Sequence, residues 1–183
     1  MNVADSTRLS NALESLGYLS TRHVEEADVI LLNTCVVRQS AEDRALGRLN
    51  SLRQLKQEKP ELVIGLMGCL VGVHGNPALE KRFPWVDVFA GPSDPAPLLA
   101  HLSHAQDEEQ AHAWRAQADK LLDLEFSVLP SSGRRAISEN LPIVLGCSHA
   151  CAYCVIPHRR GGERSRDAGK IIKEAEELVA QGT

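Results

Sequence analysis

Three short apolar runs, Val29 to Leu32, Leu62 to Met67 and Val86 to Ala90, are held apart by segments of helical periodicity, and this alternation restricts the fold more than any other feature. Each run is too brief for a buried helix and is bounded by turn-forming residues, as expected of strands covered on both faces. Between them, Leu9, Leu13 and Leu16 share one face of a helix that starts at Asp5-Ser6 and stops at Gly17. A longer helix from Ser40 to Lys59 carries Ala41, Ala45, Leu49, Leu52 and Leu55 and is closed by Pro60; its charged face reads as solvated. Shorter helices are expected from Pro77 to Phe83, and from Pro95 to His104 after the turn Gly91-Pro92-Ser93-Asp94. Strands alternating with helices argue for an α/β fold with a parallel sheet flanked by helices. Open sheets of this kind bind ligands beyond the carboxyl ends of their strands. The first two runs end there in cysteines, Cys35 and Cys69.

A second cysteine pattern follows the apolar run Leu141 to Leu145. Cys147, Cys151 and Cys154 are spaced C-x3-C-x2-C within Gly146-Cys147-Ser148-His149-Ala150-Cys151-Ala152-Tyr153-Cys154. Iron–sulfur clusters are ordinarily held by four cysteines, so a compact triplet suggests a cubane with one iron left open for a substrate. Zinc is the competing reading, with His149 or His158 completing a Cys3His set, but structural zinc usually takes ligands in two short pairs. Disulfides fit poorly, because the count of five is odd and the first residues contain no apolar core of a secretory signal.

The 183 residues, 43% of them hydrophobic, suffice for one domain and part of another. Residues 1–105 read as the first unit, 106–135 as a connection with one strand at Leu122 to Leu129, and 136–183 as a second unit. That second unit comprises a strand at Ile143 to Leu145, the cysteine loop, an Arg-rich loop and a helix from Ala168 to Ala180. No stretch reaches the roughly 20 apolar residues of a membrane-spanning helix, so a soluble, intracellular protein is expected. The formal charge of −4 offers no general attraction to nucleic acid. A local basic cluster, Arg159, Arg160, Arg164 and Arg166, could meet RNA phosphates, or could cap the cysteine loop and dock it on the first unit. Asn33 reads as a turn residue; His74, His101, His104 and His112 read as surface residues, and Trp85 and Trp114 as packing residues.

Taken in order, Asn33-Thr34-Cys35 with Val37-Arg38, Gly65 to Cys69, Gly146 to Cys154, Arg160-Gly161, Glu163 and Ser165-Arg166 resemble the methylthiotransferase family of radical S-adenosylmethionine (SAM) enzymes. The opening Met1-Asn2, Asp5-Ser6 and Val36-Val37-Arg38 are most similar to the branch that converts N6-isopentenyladenosine, beside the transfer RNA anticodon, into its 2-methylthio derivative. Sister branches act on a ribosomal-protein aspartate and on threonylcarbamoyladenosine. The resemblance implies that Cys147, Cys151 and Cys154 hold a 4Fe–4S cluster that binds and cleaves SAM, and that residues 136–183 form the first strand–loop–helix unit of a (β/α) barrel. It implies an auxiliary 4Fe–4S cluster on the first unit, with Cys35 and Cys69 among its ligands, as sulfur source. Tyr153 falls where the family often has an aromatic residue near the SAM adenine, and Asn33 and Arg38 flank an auxiliary ligand. A transfer RNA substrate, a reductant such as flavodoxin or ferredoxin, a cytoplasmic location and a monomeric state are implied as well.

Two departures stand against the pattern. The auxiliary cluster of the family takes one cysteine after each of three strands; here two are present, and the third normally lies just ahead of the Met-Asn pair that opens this chain. The expectation is a gene model that begins late. After Gly182-Thr183 the family continues through the rest of the barrel and a small RNA-binding β domain, so no turnover is expected from this polypeptide alone. Gly161-Gly162-Glu163 is not the family's SAM-binding Gly-Gly-Glu, which lies on a later strand. Two other classes remain open: a non-catalytic module that binds RNA or a partner, and a zinc-stabilised structural domain.

Overall fold

The structure, a computed structural model, describes residues 2–104, 138–180 and 182. The expected connection at 106–135, its strand at Leu122 to Leu129, His112 and Trp114 all lie outside the described residues.

Strands β1 (Val29–Thr34), β2 (Val63–Gly68) and β3 (Val88–Ala90) form a parallel sheet in the order β1-β2-β3. The β1–β2 register runs from Val29 opposite Val63 to Thr34 opposite Gly68. Successive side chains of a strand point to opposite faces, and that alternation divides the core in two. Ile30, Leu32, Ile64 and Leu66 pack with Leu49 and Leu52 of α2 (Gln39–Glu58) and with Leu79 and Phe83 at α3 (Pro77–Arg82). Val29, Leu31, Val63 and Met67 face the other way, onto Leu9 of α1 (Asn2–Ser15) and Leu98, Leu99 and Leu102 of α4 (Ala96–His104). The result is the expected α/β arrangement, with helices on both faces. Leu49, Leu62, Ile64 and Phe83 have no exposed surface, and Leu98, Leu99 and Leu102 are almost as deeply buried, so both faces of the sheet are closed.

Polar contacts set the ends of these elements. The Asn76 side chain accepts a hydrogen bond from the Leu79 amide at 3.2 Å, capping α3 just ahead of Pro77. The end of α1 is closed by bonds from Tyr18 N–H to the Leu13 carbonyl and from Gly17 N–H to the Glu14 carbonyl, both 3.0 Å. Asp87 accepts from the Ile64 amide at 2.8 Å and from Lys56 Nζ at 2.9 Å, tying α2 to the start of β3. Because the Val86 amide is turned toward the Phe83 carbonyl, β3 begins two residues later than the apolar run suggests.

The start of α1 also differs from expectation. The helix begins at Asn2, and Asp5, read from sequence as part of its start, lies inside it with 5% of its surface exposed. Asp5 shares the helical face of Leu9, at the i, i+4 spacing that stacks side chains, which makes it a buried acid with a partner elsewhere.

Farther along, β4 (Val144–Leu145) pairs antiparallel with β5 (Arg164–Ser165), a short ladder that the sequence reading lacked. The Arg-rich loop contains a single helical turn, α5 (Ile156–Arg160), held by bonds of 3.1 Å from Arg159 N–H to Val155 and from Gly161 N–H to Pro157. Five residues are too few to display an apolar period. The last helix, α6 (Ala168–Ala180), occupies the expected range. The short ladder with α5 and α6 does not by itself define a barrel unit.

Candidate functional site

Gly68 and Thr34 bring Cys35 and Cys69 to neighbouring positions at the carboxyl end of the sheet. The Cys69 amide donates to the Thr34 carbonyl at 3.1 Å. Thr34 Oγ1 donates to the Met67 carbonyl at 2.7 Å and accepts from the Leu70 amide at 3.2 Å, so this buried hydroxyl stitches the two strand ends together. Gly68 has φ +98°, and a Cβ there would stand 2.6 Å from the Thr34 carbonyl oxygen and 2.8 Å from Asn33 Oδ1. Only glycine allows the strands to approach this closely. Asn33, read as a turn residue, is the penultimate residue of β1, and its Nδ2 donates to Ser6 Oγ of α1 at 3.0 Å. Cys35 is half-buried and Cys69 is 1% exposed.

The third strand contributes to the same end of the sheet. Ser93, in the turn after β3, donates from Oγ to Asp5 Oδ1 at 2.8 Å and adopts φ +61°. Its carbonyl accepts from Arg8 Nη2 at 2.9 Å. A charged residue on the apolar face of α1 is the sequence signal that could have exposed this network; nothing in the sequence singles out Ser93.

The cysteine loop is closed at its neck. Gly146 takes φ +71°, and a Cβ there would fall 2.1 Å from the Gly162 carbonyl oxygen, so the two ends of the loop meet where only glycine fits. The Cys147 amide donates to the Gly161 carbonyl at 3.1 Å, and the Glu163 amide donates to Ser148 Oγ at 2.9 Å. Gly161 and Gly162 therefore serve as backing for the loop. Cys147 and Cys154 are half-buried, Cys151 is exposed, and a turn bond of 3.0 Å joins Cys154 N–H to the Cys151 carbonyl. Tyr153 is 93% exposed. His74 and His101 lie at the surface, whereas Trp85 packs edge-on against Phe83 with ring centroids 5.3 Å apart.

The four arginines separate into two kinds. Arg160 is 8% exposed; its Nε donates to Cys69 Sγ at 3.1 Å and its Nη2 lies 3.6 Å from Asp5 Oδ2. Arg166 is buried against Glu174 of α6 and donates to the Pro142 carbonyl at 2.7 Å. Both guanidiniums are engaged inside the chain, Arg160 with the first unit and Arg166 with Pro142 and Glu174 of its own. Arg164 is exposed and Arg159 half-buried. The Arg159 carbonyl accepts from the Val73 amide at 3.1 Å, a second link between α5 and the turn after β2.

Among the described residues, no three His, Cys, Asp or Glu side chains converge as a metal-binding group. The donor chemistry nonetheless suits a cluster, since three thiols fall within eight residues and none forms a disulfide. A cleft of about 770 Å³ between α1, the loop from Gly17 and β1 contains none of the five cysteines.

The α/β sheet thus carries cysteines at two adjacent strand ends, and the helical turn that follows the cysteine loop is bound to one of them through Arg160. Residues 1–91 match the family model described as "Uncharacterized protein family UPF0004". Over its whole length it is 38% identical to a tRNA-2-methylthio-N(6)-dimethylallyladenosine synthase of Clostridium perfringens, covering 40% of that protein. Synthases of the same name from Herpetosiphon aurantiacus, 38% identical with 39% covered, and Dictyoglomus thermophilum, 37% identical with 40% covered, are similarly related. The chain thus spans about 40% of the length of these curated relatives, which are tRNA-modifying enzymes by name.

Proposed function

We propose that this chain belongs to a radical SAM methylthiotransferase that adds a methylthio group to C2 of N6-isopentenyladenosine in transfer RNA. The observation that supports the reading is the contact of Arg160, six residues beyond the cysteine loop, with Cys69 at the end of β2 and with Asp5 of α1. A molecule that takes sulfur from one site and radical chemistry from another needs the two sites adjacent.

In this reading residues 1–105 are the methylthiotransferase domain, 106–135 the connection, and 136–183 the opening unit of a radical SAM barrel. Cys147, Cys151 and Cys154 would hold one 4Fe–4S cluster, and Cys35 and Cys69 would supply two thiolates to an auxiliary one. When loaded, the pair supplies single-electron chemistry toward SAM and the sulfur to be inserted. The chain's own residues do the rest: Gly146 and Ser148 close the loop, and Arg166 fixes the loop end to α6. Exposed Tyr153 offers a face on which an adenine can stack, and Arg164 and Arg159 would meet phosphates. A flavodoxin or ferredoxin would deliver electrons in the cytoplasm to a monomeric protein; no helix among the described residues is long and apolar enough to cross a membrane.

The test is anaerobic reconstitution with iron and sulfide, followed by iron counting and electron paramagnetic resonance with and without SAM. A cubane signal that SAM perturbs, and that a Cys147→Ala, Cys151→Ala, Cys154→Ala triple variant loses, is expected. Zinc in place of iron, or an unchanged signal in the triple variant, would overturn the reading in favour of a zinc-stabilised domain or a different ligand set.

A further inference from the structure

We infer that Arg160 is a positioning residue that holds the Cys69 sulfur in register with the cysteine loop, so that one guanidinium couples the two thiol-bearing regions. The inference rests on the proposed function only in taking Cys69 as a ligand. The coupling itself is a property of the chain without any cluster.

Three observations combine. Arg160 lies at the end of α5, six residues after Cys154, while Cys69 follows β2; the contact between Nε and Sγ at 3.1 Å therefore joins segments 91 residues apart. The same guanidinium faces Asp5 Oδ2 at 3.6 Å from a different nitrogen, and Asp5 is fixed by Ser93 at 2.8 Å. Arg160, Asp5 and Cys69 are all at least nine-tenths buried. Each partner comes from a different element: α1, the end of β2, the turn after β3, and α5.

The planar fork of arginine matters here. Its nitrogens point in fixed, divergent directions, so one can donate to the sulfur while another faces the carboxylate as an ion pair, whereas the ammonium of lysine is a single point charge. A guanidinium has no acceptor, so the bond runs from nitrogen to sulfur. Hydrogen bonds to ligand sulfurs are among the levers that set iron–sulfur reduction potentials. Arg160 would act through this bond on a cluster held at Cys69, and the short α5 turn ties it to the loop that carries Cys147, Cys151 and Cys154.

Arg160→Lys is the informative variant, since it retains the positive charge opposite Asp5 while giving up the forked geometry. Arg160→Gln removes both and is compared after circular dichroism has shown it folded. The readout is site-resolved alkylation of the metal-free full chain with iodoacetamide, Cys69 against Cys35 in the same molecule. Arg160→Lys should melt only about 3–6 °C below the parent, the shift that a tenfold loss in the folding equilibrium brings in a chain of this size. Its Cys69 should nonetheless alkylate on the order of tenfold faster, the lower end for losing a charge-assisted hydrogen bond, with Cys35 unchanged. Equal acceleration at both cysteines would mean general loosening, and no acceleration at Cys69 would mean that Arg160 does not position it; either overturns the inference. Iron binding by the parent chain is measured separately. An alkylation effect without iron binding sustains the coupling and removes the cluster reading, and iron binding without the alkylation effect does the reverse.

Discussion

Replacing Gly68 with alanine should separate the two strand ends that present Cys35 and Cys69. Two costs are visible in the structure. An L-residue at φ +98° occupies a left-handed conformation, which costs about 1–2 kcal/mol. The new Cβ would also stand 2.6 Å from the Thr34 carbonyl oxygen and 3.0 Å from the Thr34 nitrogen, backbone atoms that cannot rotate away. Forcing extra volume into a packed site adds about 1–3 kcal/mol. The expected loss is therefore about 2–5 kcal/mol, against total stabilities of about 5–15 kcal/mol for single domains. Urea denaturation followed by circular dichroism reads it as a fall in midpoint at unchanged slope. Gly47→Ala is the matched control: this exposed glycine sits inside α2 with no atom within 4 Å of an added Cβ, so the same substitution should stabilise by about 0.5–1 kcal/mol. A Gly68→Ala midpoint equal to that of the parent would refute the argument that close backbone approach, rather than chance, placed glycine before Cys69.

Phe83→Ala empties the centre of the α2/α3 face, where the ring is fully buried, and should cost about 3–5 kcal/mol in the same denaturation assay. Gly146→Ala should leave the main midpoint nearly unchanged but open the neck of the cysteine loop. The left-handed conformation alone, about 1–2 kcal/mol, should speed amide hydrogen exchange at Cys147 by roughly 5–30-fold. If Arg164 meets a phosphate, Arg164→Gln should reduce the salt dependence of transfer RNA affinity by about 0.7 in log–log slope; an unchanged slope removes Arg164 from the interface. Arg166→Gln should act instead on stability, because its removal strands the buried Glu174, at a cost of about 3–5 kcal/mol.

The strands, the long α2 and the range of α6 were legible because their signals are local. An apolar run of four to six residues, or leucines at helical spacing, reports which faces will be buried whatever they are buried against. The cysteines were legible for the same reason: Cys35 and Cys69 end their runs, and the C-x3-C-x2-C spacing lies within eight residues. Sequence also restricted the chemistry, since thiols in this pattern suit a metal cluster and the overall negative charge confines any RNA contact to a local patch. The roles of Asp5, Ser93, Arg160 and Arg166 were decided only in three dimensions. A run of arginines looks the same in sequence whether its guanidiniums face solvent or a buried carboxylate, because burial depends on partners 88 to 155 positions away for Asp5 and Arg160 and on a helix face that must first form for Arg166 and Glu174. Local patterning thus determined the elements and the donor atoms; the tertiary structure decided which charges are paired inside and which remain available to a partner, since desolvation of a charge is set by the packing of distant segments and by no property of its neighbours in the chain.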